Sequence, residues 1–208
     1  GRRVPVGVGP PTAKGWWVNM LRTVFLIAFA LSLAIGGGAA SAWILIDRGF
    51  GFGAVDVGPW SAFPERGTPA ADPYSRARFA RQGHLAIGQA EGIVFTAARD
   101  SLGQPLSSAC TYQIEGPIPP SRLWTLHAMR RANGTQPTAD SAIHSLAILR
   151  REDGSFDIPV SRHPSPGNWL RIGGVGEFAV VLALYDTAVA TTARAADVEL
   201  PLIRRLGC

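Results

Sequence analysis

Between Thr23 and Ile46 the chain reads TVFLIAFALSLAIGGGAASAWILI, a run of 24 residues without one ionisable side chain. At ~1.5 Å rise per residue such a run spans roughly 36 Å as a helix, enough for a hydrocarbon core of about 30 Å with some tilt. Trp16 and Trp17 stand where an aromatic belt would lie on one side, and Trp43 near the other. Arg2, Arg3, Lys14 and Arg22 precede or flank the run, and no acid occurs before Asp47. The positive-inside rule then makes residues 1–22 a cytoplasmic basic segment and residues 23–46 a transmembrane helix of an inner-membrane, single-pass protein. The main domain follows on the periplasmic side.

A second reading competes. LIAFALSLAI has the length of a signal-peptide core, and GGAASA supplies small residues for cleavage after Ala42, which would release the chain into the periplasm. Against it, AWILI continues the apolar character further than a signal peptide needs. Ser32, Gly36 and Ala40 recur at four-residue spacing, the pattern by which helices approach each other in lipid. A retained helix therefore leads us to expect the bilayer, and another envelope or membrane protein, as partners. The bland reading of those positions is that Gly and Ala are common in such segments.

The net charge of +5 invites a nucleic-acid function, but its distribution removes it. Four of the 20 cations lie before the apolar run, whereas all 15 acids follow it. Two cysteines, Cys110 and Cys208, fall beyond the membrane segment. In an oxidising compartment they allow one bridge, which would pin the C-terminus. The other possibility is one buried thiol and one free terminal thiol.

Residues 47–71 are rich in Gly and Pro and read as a linker. They contain GFGFGA, which matches a dinucleotide fingerprint in letters but lacks the preceding strand and following helix that the fingerprint needs. DPYSRARFARQG predicts a short helix, with Asp72 as cap, Pro73 at its first position, Tyr74, Ala77 and Arg81 on one face, and Gly83 at its end. Thereafter the period becomes two. EGIVFTAARD, LSSACTYQIEG, SRLWTLHAMRR, SAIHSLAILRR (a helix in the alternative), SFDIPVS, NWLRI, EFAVVLALYD and VELPLIRRL read as strands, with SLGQ, GPIPP, ANGTQP, EDGS, HPSPG and GGVG between them. EFAVVLALYD is apolar on both faces and reads as a central strand; Pro159 confines SFDIPVS to an edge. The expectation is a mainly β protein: one transmembrane helix, then an antiparallel β-sandwich or jelly roll with a short helix over residues 72–208.

Four pieces in order, DPYSRARFARQGHLAIGQAEGIVFTAARDSLGQPL, CTYQIEGPIPPSRLWTLHAM, REDGSFDI and PSPGNWLRIGGVGEFAVVLALYD, together resemble the domain-of-unknown-function family 1214 over about Asp72 to Asp186. The resemblance, to a membrane-anchored bacterial envelope form, implies a β-sandwich that often accompanies a sister domain of unknown function. It transfers no activity and no catalytic residue. The usual Tyr-x-Pro ending is missing, since LYDTAVATTARA lacks the Pro.

No His-Glu-x-x-His set, nucleophile elbow or Cys pair at metal spacing occurs, so no catalytic residue, metal or cofactor is assigned. His127 and His144 lie on strands that could meet, and Glu91 and Glu115 are acids flanked by apolar residues. Tyr112, Trp124, His127, Asn168 and Trp169 form the candidate binding set, because an aromatic wall beside an amide suits a flat hydroxylated ligand. The structural alternative makes Trp124 core and Asn168 a loop brace. Two functions from different classes follow: a non-enzymatic binding or complex-accessory module of the envelope, or an envelope enzyme on a jelly-roll scaffold acting on a carbohydrate or lipid-linked substrate.

Overall fold

The computed structural model describes residues 13–48, 53–82, 87–130, 139–174, 176–190 and 195–208. Arg2 and Arg3 of the basic segment, Gly83 and the ANGTQP loop lie outside the described residues. The chain divides into two units, Gly1–Phe50 and Gly51–Cys208.

The first unit holds one helix, α1 (Ala13–Arg48). Its 36 residues make about 54 Å of helix, and its stretch Trp16–Leu45 is long and apolar enough to cross a membrane. A signal sequence would meet the same criterion. Thr23 and Ser32 satisfy their hydroxyls within the helix, on Asn19 O and Ala28 O.

The second unit is built from two sheets. One contains β1 (Val55–Val57), β2 (Trp60–Ala62), β3 (Gly92–Ala97), β9 (Phe178–Tyr185), β5 (Leu123–Arg130) and β6 (Ala139–His144), in that spatial order and antiparallel throughout. The other runs β10 (Leu202–Gly207), β4 (Thr111–Glu115), β7 (Asp157–Ser161) and β8 (Leu170–Arg171); only β7 and β8 are parallel. Inner faces of both sheets supply a single core: Trp60, Phe95, Trp124, Leu126, Leu182 and Leu184 from the first, Tyr112, Ile114, Ile158, Val160 and Ile203 from the second. This is a β-sandwich, as the strand-rich, turn-punctuated sequence predicts.

The alternation in each strand decides which side chains enter that core. In β5, Trp124, Leu126 and Ala128 are buried, while Leu123, Thr125, His127 and Met129 are only half-buried on the outer face. β9 is central, paired on its two edges by β3 and β5; Phe178, Val180, Leu182 and Leu184 enter the core, and the small Ala179, Val181 and Ala183 of the outer side are sunk among the longer side chains of the neighbouring strands. The predicted α2 (Pro73–Gln82) forms, with Asp72 Oδ1 accepting from the amides of Tyr74 and Ser75 at 2.9 and 3.0 Å. Its Tyr74, Ala77 and Arg81 are exposed, while Ser75, and Ala71 just ahead of the helix, are buried.

Two expectations are corrected. Residues 47–71 are not all linker: 55–62 form a hairpin on the first sheet and place Trp60 fully inside the core, its Nε1 donating to Pro201 O at 2.7 Å. Val57 pairs with Trp60 across Gly58-Pro59, and Gly58 has φ +57°, the value a two-residue hairpin turn opening on glycine needs. Second, β7 is interior between β4 and β8. Pro159 is tolerated because β8 pairs only with Val160 and Ser161 and stops short of it.

Candidate functional site

Cys110 and Cys208 form a disulfide that closes the C-terminal strand onto the sandwich. Around it, Arg205 lies 3.1 Å from the buried Asp100 carboxylate, donates to Pro105 O at 2.7 Å and sits over the Tyr112 ring at 5.4 Å. Ser101 and Ile203 exchange two hydrogen bonds, N to O at 2.9 Å and N to Oγ at 2.9 Å, which cap the open edge of β10. This cluster is a brace for the C-terminus.

The candidate binding set does not converge. Tyr112 is 1% exposed, packs edge-on against Phe178 and accepts a hydrogen bond from the Ser107 amide at 2.8 Å. Trp124 faces the core and stacks on Phe156 at 5.7 Å. Asn168 braces two loops: its Oδ1 accepts from Leu149 N at 2.6 Å, and its Nδ2 donates to Leu149 O at 2.8 Å and Asp157 O at 3.1 Å. Trp169 donates from Nε1 to Ser161 O at 3.2 Å and Oγ at 3.1 Å. These polar groups are spent on the fold itself. Glu91 accepts from the amide of Gly88 at the start of β3, while Glu115 pairs with Arg204 at 3.2 Å on the other sheet, so the two acids occupy separate places.

His127 is different, because it points out of the sandwich. In register it lies between Val181 of β9 and Ala142 of β6. The same row runs on through Thr96, Ser61 and Asp56. The next row is Val94, Ala183, Thr125 and His144. The two histidines therefore share a face on neighbouring strands, one pair apart on the diagonal. Burial lowers the His127 pKa from 6.5 by disfavouring the imidazolium, whereas His144 is exposed. Pairing of β5 with β6 shifts register just beyond His127, a bulge of the kind that re-aims side chains near sites. Among the described residues, no group of three or more metal-ligating side chains forms.

The outer faces of the two sheets contrast. That of the second is a polar lattice: Arg204 bonds Gln113 and Glu115, Gln113 bonds Asp157, and Asp157 pairs with Arg151. That of the first has Ala179, Val181 and Ala183 at its centre, ringed by Val94, Thr96, Thr125, His127 and Met129, none of them fully exposed. One is a solvated surface; the other is mostly apolar and carries a partly desolvated histidine.

A two-sheet β-sandwich with one polar and one apolar outer face is thus the class of domain this chain forms. Over residues 91–189 it matches the DUF1214 family, described as a protein of unknown function, and that stretch belongs to the family. The match leaves β1, β2, α2 and β10 outside, although β10 completes the second sheet. Among solved structures the chain is similar to the VPA0106 protein from Vibrio parahaemolyticus, with 17% identity over 64% of this chain and 35% of that one, at a TM-score of 0.50. It is also similar to an uncharacterized protein from Burkholderia cenocepacia, with 15% identity over 86% of this chain and 52% of that one, at a TM-score of 0.43. The chain spans about a third and a half of those two lengths. The first likeness concerns the fold alone. No curated protein matches.

Proposed function

We propose that this chain is a membrane-anchored envelope protein that works by binding another envelope protein, using the outer face of the six-stranded sheet. The observation that carries this reading is the contrast between the faces: polar groups on the second sheet are paired with one another, while the outer side of the first carries half-buried Val94, Thr96, Thr125, His127 and Met129 around the small, buried Ala179, Val181 and Ala183. A flat apolar field with a polar rim is what a protein interface offers. The apolar helix supports the anchor, and the disulfide supports an oxidising compartment. Ser32, Gly36 and Ala40 would let the helix join the same contact by close packing in lipid.

The experiment is site-specific photo-crosslinking in the native envelope. A photoreactive residue at Thr96 or Thr125 should capture one defined protein. The same residue at Gln113, on the polar face, should capture none. Equal capture at the two faces, or none at either, rejects the reading. Turnover of an envelope glycan or ester by the purified chain, lost in His127→Gln, would replace it with the enzyme alternative.

A further inference from the structure

The strand order fixes which ends of the first sheet coincide. β1 and β6 lie at opposite edges but run antiparallel, so the start of β1 and the end of β6 are at the same end of the sheet. Register continues the row of His144, through Thr125, Ala183 and Val94, towards Ala54, where the chain enters this sheet. The loop after His144 and the entry of the chain therefore share one end. Six residues join Arg48, the last of α1, to Val55. At ~3.5 Å each they reach about 20 Å.

That shared end carries two leucines held in the open. Leu146 is 82% exposed and Leu149 67%. A single exposed leucine needs no explanation. Here, however, the loop is fixed. Ser145 N donates to Trp124 O at 3.0 Å, Ala147 N donates to His144 O at 3.0 Å, and the Asn168 amide grips Leu149 from both sides. Ile148, between the two leucines, packs against the core. The loop thus spends Ile148 on the domain and projects Leu146 and Leu149 away from it. Arg150 follows directly, exposed, with its guanidinium 5.1 Å above the Phe156 ring. Arg122, at the same end at the start of β5, is 83% exposed and lies 3.9 Å from the likewise open Asp186 carboxylate.

We propose that loop 145–150 is a membrane-surface contact. Leu146 and Leu149 enter the boundary between headgroups and acyl chains of the bilayer that holds α1, and Arg150 lies at the lipid phosphates. A short tether entering the same end, apolar tips kept from folding back, and an adjoining cation all fit that one occupant. The contact would orient the domain on the bilayer and leave the outer sheet face available at its side. It rests on the anchor half of the proposed function and is independent of the protein partner.

The test uses the full chain reconstituted in vesicles of phosphatidylcholine and phosphatidylglycerol without other protein. Leu146→Cys, Leu102→Cys and Phe29→Cys are each labelled with a nitroxide, the native cysteines being held in their disulfide. Leu102 is the internal control, since it is 85% exposed and sits in the turn beyond the opposite end of β3. Collision with oxygen and with a water-soluble nickel chelate is then measured. The expected result is a severalfold loss of chelate collisions at position 146 relative to 102, with position 29 reading the bilayer interior. If 146 and 102 are equally open to the chelate while 29 is buried in lipid, the loop contact is wrong and the anchor stands. If 29 is open to the chelate, the anchor reading itself fails, and the loop contact with it.

Discussion

Removing the disulfide should weaken the whole sandwich, with β10 still docked. Cys110 and Cys208 enclose a separation of 98 residues. In the chain-entropy account, releasing such a loop returns about 4.7 kcal/mol to the unfolded state. The native state changes less, because four other attachments hold β10: Ile203 in the core, the Ser101–Ile203 pair, Arg205 on Pro105 O, and Trp60 Nε1 on Pro201 O. For a domain of this size total stability is about 5–15 kcal/mol, so the loss is a third of it or more. The assay is urea unfolding of the full chain in micelles, oxidised wild type against Cys110→Ser/Cys208→Ser. It is followed by fluorescence of the buried Trp60 and Trp124 above the constant signal of the helix tryptophans. With a slope of ~2 kcal/mol per molar, the midpoint should fall by about 2 M. The melting temperature should fall by roughly 10–15 °C. Coincident midpoints would refute the reasoning. So would a variant that only frays, losing its C-terminal residues to protease with no shift in global midpoint.

Other consequences are narrower. Gly92→Ala should cost about 1–3 kcal/mol or more, because an added Cβ would stand 2.0 Å from Leu184 O of the neighbouring strand; the same urea midpoint measures it. Asn168→Ala should cost about 1–3 kcal/mol and raise hydrogen exchange in the loop at Leu149, since three hydrogen bonds are lost. Arg205→Met should cost about 1–3 kcal/mol by leaving the Asp100 carboxylate, 1% exposed, without its cation, a loss tempered by the partial exposure of Arg205. His127 titrates below 6.5 in the folded chain because burial disfavours its charge. Between that lowered value and 6.5 the unfolded chain binds the proton and the folded chain does not. Stability should therefore decline as pH falls through this window, level off below it, and lose that part of its slope in His127→Gln.

The sequence made β9 legible because an unbroken apolar run after the Gly-rich GGVG turn suits a central strand with neighbours on both edges. The inward parity of Phe156, Ile158 and Val160 was legible for a similar reason, since period two admits only two choices and the apolar one buries. The β1–β2 hairpin was hidden by its brevity: three-residue strands around Gly58-Pro59 look like any other Gly/Pro stretch until Trp60 is seen paired with Val57 and bonded to Pro201. Two members of the candidate binding set are placed by the same parity rule that placed the core. Tyr112 and Trp124 alternate with outward residues, so both must point into the sandwich, where a ligand would have to displace the core. His127, the member of that set that points outward, shares its face with Thr125, Val181 and Ala183 on the odd positions of β5 and β9, small or ordinary residues that carry no motif. What makes them a surface is register across six strands, with partners such as Thr96 and His127 separated by 31 positions in the chain but joined through Val181. A linear pattern encodes the face of each strand, but the neighbours of that face are set by pairing, and this is why the fold could be read ahead of the site.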